Sequence, residues 1–191
     1  MKTKIPFTGL NAISMKGLLI YVFTSPRLLL ARMMNRPRDG VYFLVLMDLV
    51  GSTGMMMNLG EVAGIQKILR FTGRLRYLIL TKNYEAEARF VKEIGDAGLM
   101  AFRKKEDVYR FLQHWNIENR IGESFPVRTV VHKGQVYFDG TNPISIEVSR
   151  LFKMEKMAHE GEVLWSESAS GQSAQNLSDQ GFSFGLRSQV E

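Results

Sequence analysis

Two aspartates follow apolar or β-like segments at positions where their carboxylates could hold metal ions. Asp48 comes directly after the apolar run 41–47, and Asp96 lies in the turn 95–98 between two β-like segments. A carboxylate at the end of a buried strand is costly unless it is paired or binds a metal. Two such carboxylates can together hold a pair of divalent cations.

The residues after Asp48 could bind an anion. Val50-Gly51-Ser52-Thr53 combines a glycine, which lets the backbone approach a ligand closely, with two hydroxyl side chains. Backbone N–H groups in such a turn, at the start of a helix, can contact phosphates. An ordinary helix N-cap is the alternative interpretation. Together with the two aspartates, the turn favours a nucleoside triphosphate as ligand.

The order of these motifs resembles the catalytic domain of class III adenylate/guanylate cyclases. The first motif is Asp48-Leu49-Val50-Gly51-Ser52-Thr53 and the second is Lys92-Glu93-Ile94-Gly95-Asp96. Later segments continue the resemblance in the same order: 127–136, 149–151 and 161–166. It covers about residues 41–168.

The resemblance implies a two-metal site. Asp48 and Asp96 would hold two Mg²⁺ or Mn²⁺ ions, helped by the backbone carbonyl of Leu49. One ion would lower the pKa of the ribose 3′-hydroxyl, and the other would bind the triphosphate and neutralise the leaving pyrophosphate. The triphosphate would lie in the turn formed by Val50, Gly51, Ser52 and Thr53.

The resemblance also implies residues that recognise the base. Lys92 occupies the position where adenylate-type members carry Lys and guanylate-type members carry Glu. Asp139, eleven residues before Arg150, matches the second position that contacts the purine. A Lys donates to the ring nitrogen that accepts in adenine, and an Asp accepts from the adenine amino group. Lys92 and Asp139 therefore favour ATP.

Arg150 matches the helix arginine that stabilises charge developing on the α-phosphate. Four residues earlier the family usually carries an Asn that orients the ribose, and this chain has Ile146 there, followed by Glu147. Loss of one orienting hydrogen bond worth about 1.4–2.7 kcal/mol would slow turnover roughly 10–100-fold. A phosphate-binding Lys usually follows near the last strands, and Arg187 is the candidate replacement.

These residues lead to one main hypothesis and two alternatives. The main one is a homodimeric enzyme that converts ATP to 3′,5′-cyclic AMP and pyrophosphate. Asp48 and Asp96 would come from one subunit, and Lys92, Asp139 and Arg150 from its partner. The first alternative is a degenerate cyclase-like domain that binds nucleotide or a partner with little turnover. The second is a cyclase acting on GTP or a pyrimidine triphosphate.

The pattern of elements predicts an α/β fold. The order strand, helix, hairpin, helix, strands, helix, strand predicts a sandwich with helices on one face of a sheet. The resemblance specifies it as a ferredoxin-like, cyclase-type sandwich with a mainly antiparallel sheet. We expect a hairpin turn at Lys133-Gly134 and a helix that starts near Pro143. The cyclase-like domain would span 39–168, and 169–191 would be an irregular polar tail.

Composition limits the partners. Residues 1–38 contain seven Lys and Arg and no acidic residue, so the other 18 basic and 19 acidic residues nearly balance. The folded domain is therefore not expected to bind nucleic acid. The apolar runs in 1–38 are too short to span a bilayer, which leaves a helical extension packed on protein, or contact with an anionic membrane surface. The absence of Cys suits a reducing compartment, and we expect a cytoplasmic protein.

Overall fold

The computed structural model describes residues 38–82, 84, 88–139 and 142–171, together with the backbone of 184–186. The chain divides between Asn35 and Arg36, and all of these residues belong to the second unit. The predicted extension 1–38, apart from Arg38, and the candidate cation Arg187 lie outside the described residues.

The described part alternates strands and helices. The elements, in chain order, are β1 Gly40–Leu49, α1 Ser52–Leu59, α2 Glu61–Thr81, β2 Arg89–Ile94, β3 Ala97–Phe102, α3 Lys105–Ile121, β4 Val127–Asp139, β5 Asn142–Ile144, α4 Ile146–Glu155, β6 Val163–Trp165, α5 Glu167–Ser170 and β7 Phe184–Leu186.

One sheet organises these elements. Its strand order is β2-β3-β1-β4-β6-β7, and β5 pairs with the end of β4. Strands β1 to β5 pair antiparallel, whereas β4–β6 and β6–β7 are parallel. The succession from β1 to β4, with α2 and α3 as the connecting helices, is the βαββαβ arrangement of ferredoxin-like folds. The predicted fold class is confirmed.

Successive side chains of β1 point to opposite faces of the sheet, and each face has its own hydrophobic core. Phe43, Val45 and Met47 belong to a cluster that includes residues of α2 and α3. The intervening residues of β1, such as Leu44 and Leu46, belong to a second cluster that includes Leu151 of α4. Helices therefore cover both faces of the sheet, and the expectation of one covered face was wrong. By the same alternation, Asp48 lies on the α4 face.

The predicted hairpin at Lys133-Gly134 is wrong, because β4 continues through these residues. Gly134 pairs with Tyr42 of β1, and the strand ends only at Asp139. Gly134 has a packing reason instead: a Cβ at this position would lie 2.3 Å from Cγ of Glu147. A glycine that looked like a turn residue thus makes room for a helix side chain.

The predicted helix start near Pro143 is also wrong. Pro143 lies in β5, where it pairs with Phe138, and α4 begins at Ile146. Ser145 is the N-cap, and its side chain accepts a hydrogen bond from the backbone N–H of Glu147. A hydroxyl at this position satisfies one of the free N–H groups of the first turn, which explains the boundary.

The segment 169–191 contributes regular structure. Helix α5 extends to Ser170, and β7 adds to the sheet in parallel with β6, pairing Leu164 with Gly185. Within the described ranges, no helix is both long enough and apolar enough to cross a membrane.

Candidate active site

Asp48 and Asp96 lie at the same edge of the sheet. Asp48 pairs across strands with Ala97, and Asp96 is the residue immediately before Ala97, in the β2–β3 turn. Gly95 adopts φ +62° in this turn, a conformation that costs glycine little. The backbone N–H of Leu49 also lies 3.4 Å from the carbonyl oxygen of Asp96. The strand pairing thus brings the two predicted carboxylates together.

A pocket of about 490 Å³ opens at this edge. Its lining combines the two aspartates, the turn after β1 and several residues of other elements. They are Leu46, Asp48, Leu49, Gly51, Ser52, Thr53, Ile94, Asp96, Ala97, Arg128, Phe152 and Glu155.

Asp48 is buried, with 8% of the residue exposed. Burial raises its pKa above the ordinary value of 3.8, and the charges of Asp96 and Glu155 act in the same direction. The hydrogen bond and the positive charge of Arg128 oppose this rise without cancelling it. The ionised carboxylate is thus incompletely compensated, and an additional cation would stabilise it.

Arg128 is a site residue that the sequence analysis did not single out. It lies directly opposite Asp48 in the β1–β4 ladder. Its Nε and Nη2 atoms lie 2.9 Å and 2.7 Å from Oδ2 of Asp48, and Nη2 also forms an ion pair with Glu155. The signal for Arg128 was its place on β4, but only the strand register puts it opposite Asp48.

The donor set of the pocket fits a hard divalent cation. Carboxylate and carbonyl oxygens are the ligands that Mg²⁺ prefers, and Mg²⁺ is usually held by one or two carboxylates together with substrate phosphates. In the part of the chain that the structure describes, no cluster of three or more His, Cys, Asp or Glu side chains could hold a metal ion by itself. The geometry thus suits a site that Asp48 and Asp96 form jointly with a phosphate-bearing ligand.

The turn after β1 presents a helix N-terminus to this pocket. Gly51 adopts φ +71° and is the N-cap of α1, without a side-chain cap. Ser52 and Thr53 begin the helix and line the pocket. The first N–H groups of a helix lack intrahelical partners and favour anions. The N–H of Val50 is already used, since it donates to the carbonyl of Pro126 at 2.9 Å.

The two predicted base-recognition residues approach each other elsewhere in the chain. Lys92 Nζ donates to Oδ1 of Asn142 at 3.1 Å, and Asn142 pairs across strands with Asp139. All three residues are exposed. None of them lines the pocket that contains Asp48.

Arg150 takes part in a charged network on α4. Its Nη1 donates to both carboxylate oxygens of Glu147, at 3.0 Å and 3.2 Å. Glu147 Oε2 lies 2.5 Å from Nε2 of the buried His132. Burial alone would raise the pKa of Glu147, but the hydrogen bonds with His132 and Arg150 outweigh it and lower that pKa. Ile146, at the start of α4, is 66% exposed.

The predicted site residues therefore divide into those that line the pocket and those that do not. His132, which anchors the Arg150 network, lies four residues along β4 from Arg128. At the rise of a β-strand this is about 13 Å. Asp48, Asp96 and the following turn form the first group, and Lys92, Asp139 and Arg150 lie outside that pocket.

Solved structures of cyclase catalytic domains share this fold. The chain matches the guanylyl cyclase Cya2 with TM-score 0.53, 12% identity and coverage of 71% of this chain and 79% of that one. It matches an adenylate cyclase of Trypanosoma brucei with TM-score 0.55, 15% identity and coverage of 72% and 79%. It matches an adenylate/guanylate cyclase/hydrolase from Silicibacter pomeroyi with TM-score 0.53, 17% identity and coverage of 73% and 82%.

The similarity to solved structures identifies the fold of the chain. No family model and no curated protein matches the sequence. The solved structures that match include both adenylate and guanylate cyclases. The chain thus has the nucleotide cyclase fold, as the order of its motifs predicted.

Proposed function

We propose that the chain is an adenylate cyclase, converting ATP to 3′,5′-cyclic AMP and pyrophosphate. The observation that carries the proposal is the pocket shared by Asp48, Asp96 and the N-terminus of α1. Two acidic side chains and a helix N-terminus at one sheet edge combine a cation site with an anion site. A metal-bound triphosphate requires both.

Asp48, Asp96 and the Leu49 carbonyl would hold the divalent cations. When bound, Mg²⁺ or Mn²⁺ activates the 3′-hydroxyl and neutralises charge on the triphosphate and the leaving pyrophosphate. The chain's own contribution is to hold these oxygens beside the N-terminus of α1 in one pocket. There, the fixed N–H groups of Gly51, Ser52 and Thr53 orient the phosphates for in-line attack by the 3′-oxygen.

Arg128 and Arg150 would supply positive charge at two different points. Arg128 already points into the pocket, so a bound triphosphate lies within its range. Arg150 has 49% of its side chain exposed on α4 and is free to face a second subunit. A guanidinium fixed near the α-phosphate stabilises the charge that develops there in the transition state.

Lys92 and Asp139 would select the base. Lys92 as donor and Asp139 as acceptor, connected through Asn142, would match the ring nitrogen and amino group of adenine. Among the matching solved structures, a rhodopsin-guanylyl cyclase with converted specificity is in complex with ATPαS. We extend nucleotide binding of this kind to the present chain.

A homodimer with shared sites follows from the two groups of residues. Each chain carries the Asp48 group and the Arg150 group in separate places, so a symmetric dimer could complete two sites. Exposed apolar side chains support a protein partner at the β4–β5 and α4 surface. They are Tyr137, Ile144 and Ile146.

A second candidate function is nucleotide binding with little turnover. The observation that favours it is the environment of Arg150, which is bound to Glu147 and follows Ile146 instead of the usual Asn. An arginine that is already paired gives less stabilisation to a transition state, since the pair must be broken or shared.

The decisive experiment incubates the purified chain and Mn²⁺ with ATP, GTP, CTP or UTP, and detects cyclic products by mass spectrometry. We expect cyclic AMP from ATP, and a loss of more than about 100-fold in Asp96→Asn, because metal-ion stabilisation is worth several kcal/mol. The exposed Glu160→Gln serves as the matched control. Nucleotide-dependent thermal stabilisation without a cyclic product would favour the second candidate. If neither a cyclic product nor thermal stabilisation is detected, both candidate functions are refuted.

A further inference from the structure

Arg128 bridges two carboxylates in the pocket. Its Nε donates to Oδ2 of Asp48 at 2.9 Å, and its Nη2 lies 2.7 Å from the same oxygen and also forms an ion pair with Glu155, the last residue of α4. Only 11% of the Asp48 side chain and 14% of the Glu155 side chain are exposed. The guanidinium is therefore shared between β1 and α4 inside the pocket.

The bond to Asp48 competes with metal binding. Both nitrogens of Arg128 contact one oxygen of Asp48, Oδ2, and so place a positive charge beside this carboxylate. A divalent cation bound to Asp48 would repel the guanidinium and favour its movement away from Oδ2. A displaced arginine without another partner would leave a charge in a partly buried place, which costs free energy.

Glu155 already contacts the guanidinium of Arg128. Its buried Oε1 atom forms the ion pair with Nη2 of Arg128, but among the described residues no hydrogen bond of good geometry reaches this oxygen. A guanidinium that turns from Asp48 toward Glu155 can improve this contact.

We propose that Glu155 is a positioning residue that receives Arg128 when a divalent cation binds Asp48. The proposal rests on the proposed function, because it requires a cation at Asp48 and Asp96. Glu155 thereby lowers the cost of displacing Arg128 and keeps the guanidinium inside the pocket. Glu155 acts through Arg128, and this dependence separates it from a carboxylate that merely adds negative charge.

The test is a double-mutant cycle on the full chain that measures Mn²⁺ affinity by calorimetry and electron paramagnetic resonance, without nucleotide, both in the absence and in the presence of inorganic triphosphate. Glu155→Gln should weaken Mn²⁺ binding about tenfold when Arg128 is present, a size typical of coupled neighbours. In an Arg128→Gln background, which should itself bind Mn²⁺ more tightly, the same change should have an effect below about twofold. An equal loss in both backgrounds would mean that Glu155 acts only through its charge, and would overturn the proposal.

Glu155→Asp separates reach from charge. It keeps the negative charge but withdraws the carboxylate by one methylene, so it should weaken Mn²⁺ binding nearly as much as Glu155→Gln. Wild-type affinity in Glu155→Asp would contradict the proposal. Thermal midpoints verify folding, and Glu160→Gln is the control. If the wild type binds no Mn²⁺ even with inorganic triphosphate present, or Asp48→Asn binds it equally well, the metal site of the proposed function is itself wrong. If the effects of the Glu155 and Arg128 changes are additive while Mn²⁺ binding still depends on Asp48, only the positioning role of Glu155 is overturned.

Discussion

The proposed recognition of the base by Lys92 can be tested at this single residue. Its ammonium donates to Asn142, which is the cross-strand neighbour of Asp139. The amide can hold Lys92 beside Asp139 in the absence of nucleotide and yield it to a base. A donor and an acceptor would then meet the purine edge together.

Lys92→Glu should lower the use of ATP and shift preference toward GTP. The change replaces a donor with an acceptor and also places a carboxylate beside Asp139. A site with unpaired polar groups rejects the wrong base strongly, so the ATP:GTP ratio of kcat/KM should fall by at least about tenfold. The exposed Lys153→Glu on α4 controls for the change of charge. An unaltered ratio would show that Lys92 does not contact the base.

Helix α4 determines how Arg150 is presented. It begins at Ile146, one turn before Arg150, with Ser145 as its cap. The same helix carries Glu147 toward His132 and Glu155 toward Arg128. One short helix thus connects the Arg150 network with the pocket that contains Asp48.

Ile146→Asn tests whether this helix has been aligned correctly with the family. Ile146 is 66% exposed, so Asn should change the thermal midpoint by little. An Asn one turn before Arg150 shares its face and can contact the ribose, so turnover should rise roughly 10–100-fold. Turnover and thermal midpoint are measured together. Unchanged turnover in a stable, active variant would mean that position 146 does not face the ribose.

A second element-scale contact joins α2 to the loop after α3. Arg70 Nε donates to Glu123 at 2.7 Å, and this hydrogen bond lowers the pKa of Glu123 below its ordinary value of 4.5. A lowered carboxyl pKa stabilises the folded state above the unfolded pKa, and the contribution is lost as pH falls through the folded pKa. The pair is half exposed, so it is worth at most about 1 kcal/mol.

Glu123→Gln should therefore reduce stability at pH 7 and lose this effect in acid. The midpoint at pH 7 should fall by about 2–4 °C at most, and the difference from wild type should shrink as pH falls below about 4.5. Thermal unfolding between pH 3 and 7 measures it, with Glu160→Gln as control. A difference that grows in acid would contradict the assigned direction of the pKa shift.

Helices and strands could be predicted where neighbouring residues alone determine them. The apolar run 41–47 and the spaced apolar residues after Glu61 are local patterns, and the structure has the strand Gly40–Leu49 and the helix Glu61–Thr81 at these places. The hairpin at Lys133-Gly134 failed because a glycine signals both a turn and close packing, and here Gly134 makes room for Glu147.

The site was predictable only in its motifs. Asp48, Asp96 and the following turn could be found because each lies beside a recognisable strand end. Arg128 and Glu155 could not, since they meet Asp48 through the β1–β4 register and the placement of α4. Such contacts depend on tertiary structure, which no local pattern encodes.

At the scale of the whole molecule, the distance between the Asp48 pocket and Arg150 limits how one active site could use both. Asp48 and Arg150 lie on different parts of one chain, and Arg150 is outside the pocket of Asp48. In a symmetric dimer, residue i of one subunit faces residue j of the other, and the reverse contact repeats it. One chain can therefore supply both halves of a site, each to a different active site.

Mixing two inactive variants tests this arrangement. Asp48→Asn and Arg150→Ala homodimers should each lack turnover, because every site has lost a metal ligand or the transition-state arginine. A mixed dimer contains one site with both residues intact, so random exchange should restore about a quarter of the wild-type rate. Cyclic product is measured after the subunits have exchanged, with each variant alone as the control. Mixing without recovery, in samples where native mass spectrometry detects mixed dimers, would show that each active site uses residues of one chain only.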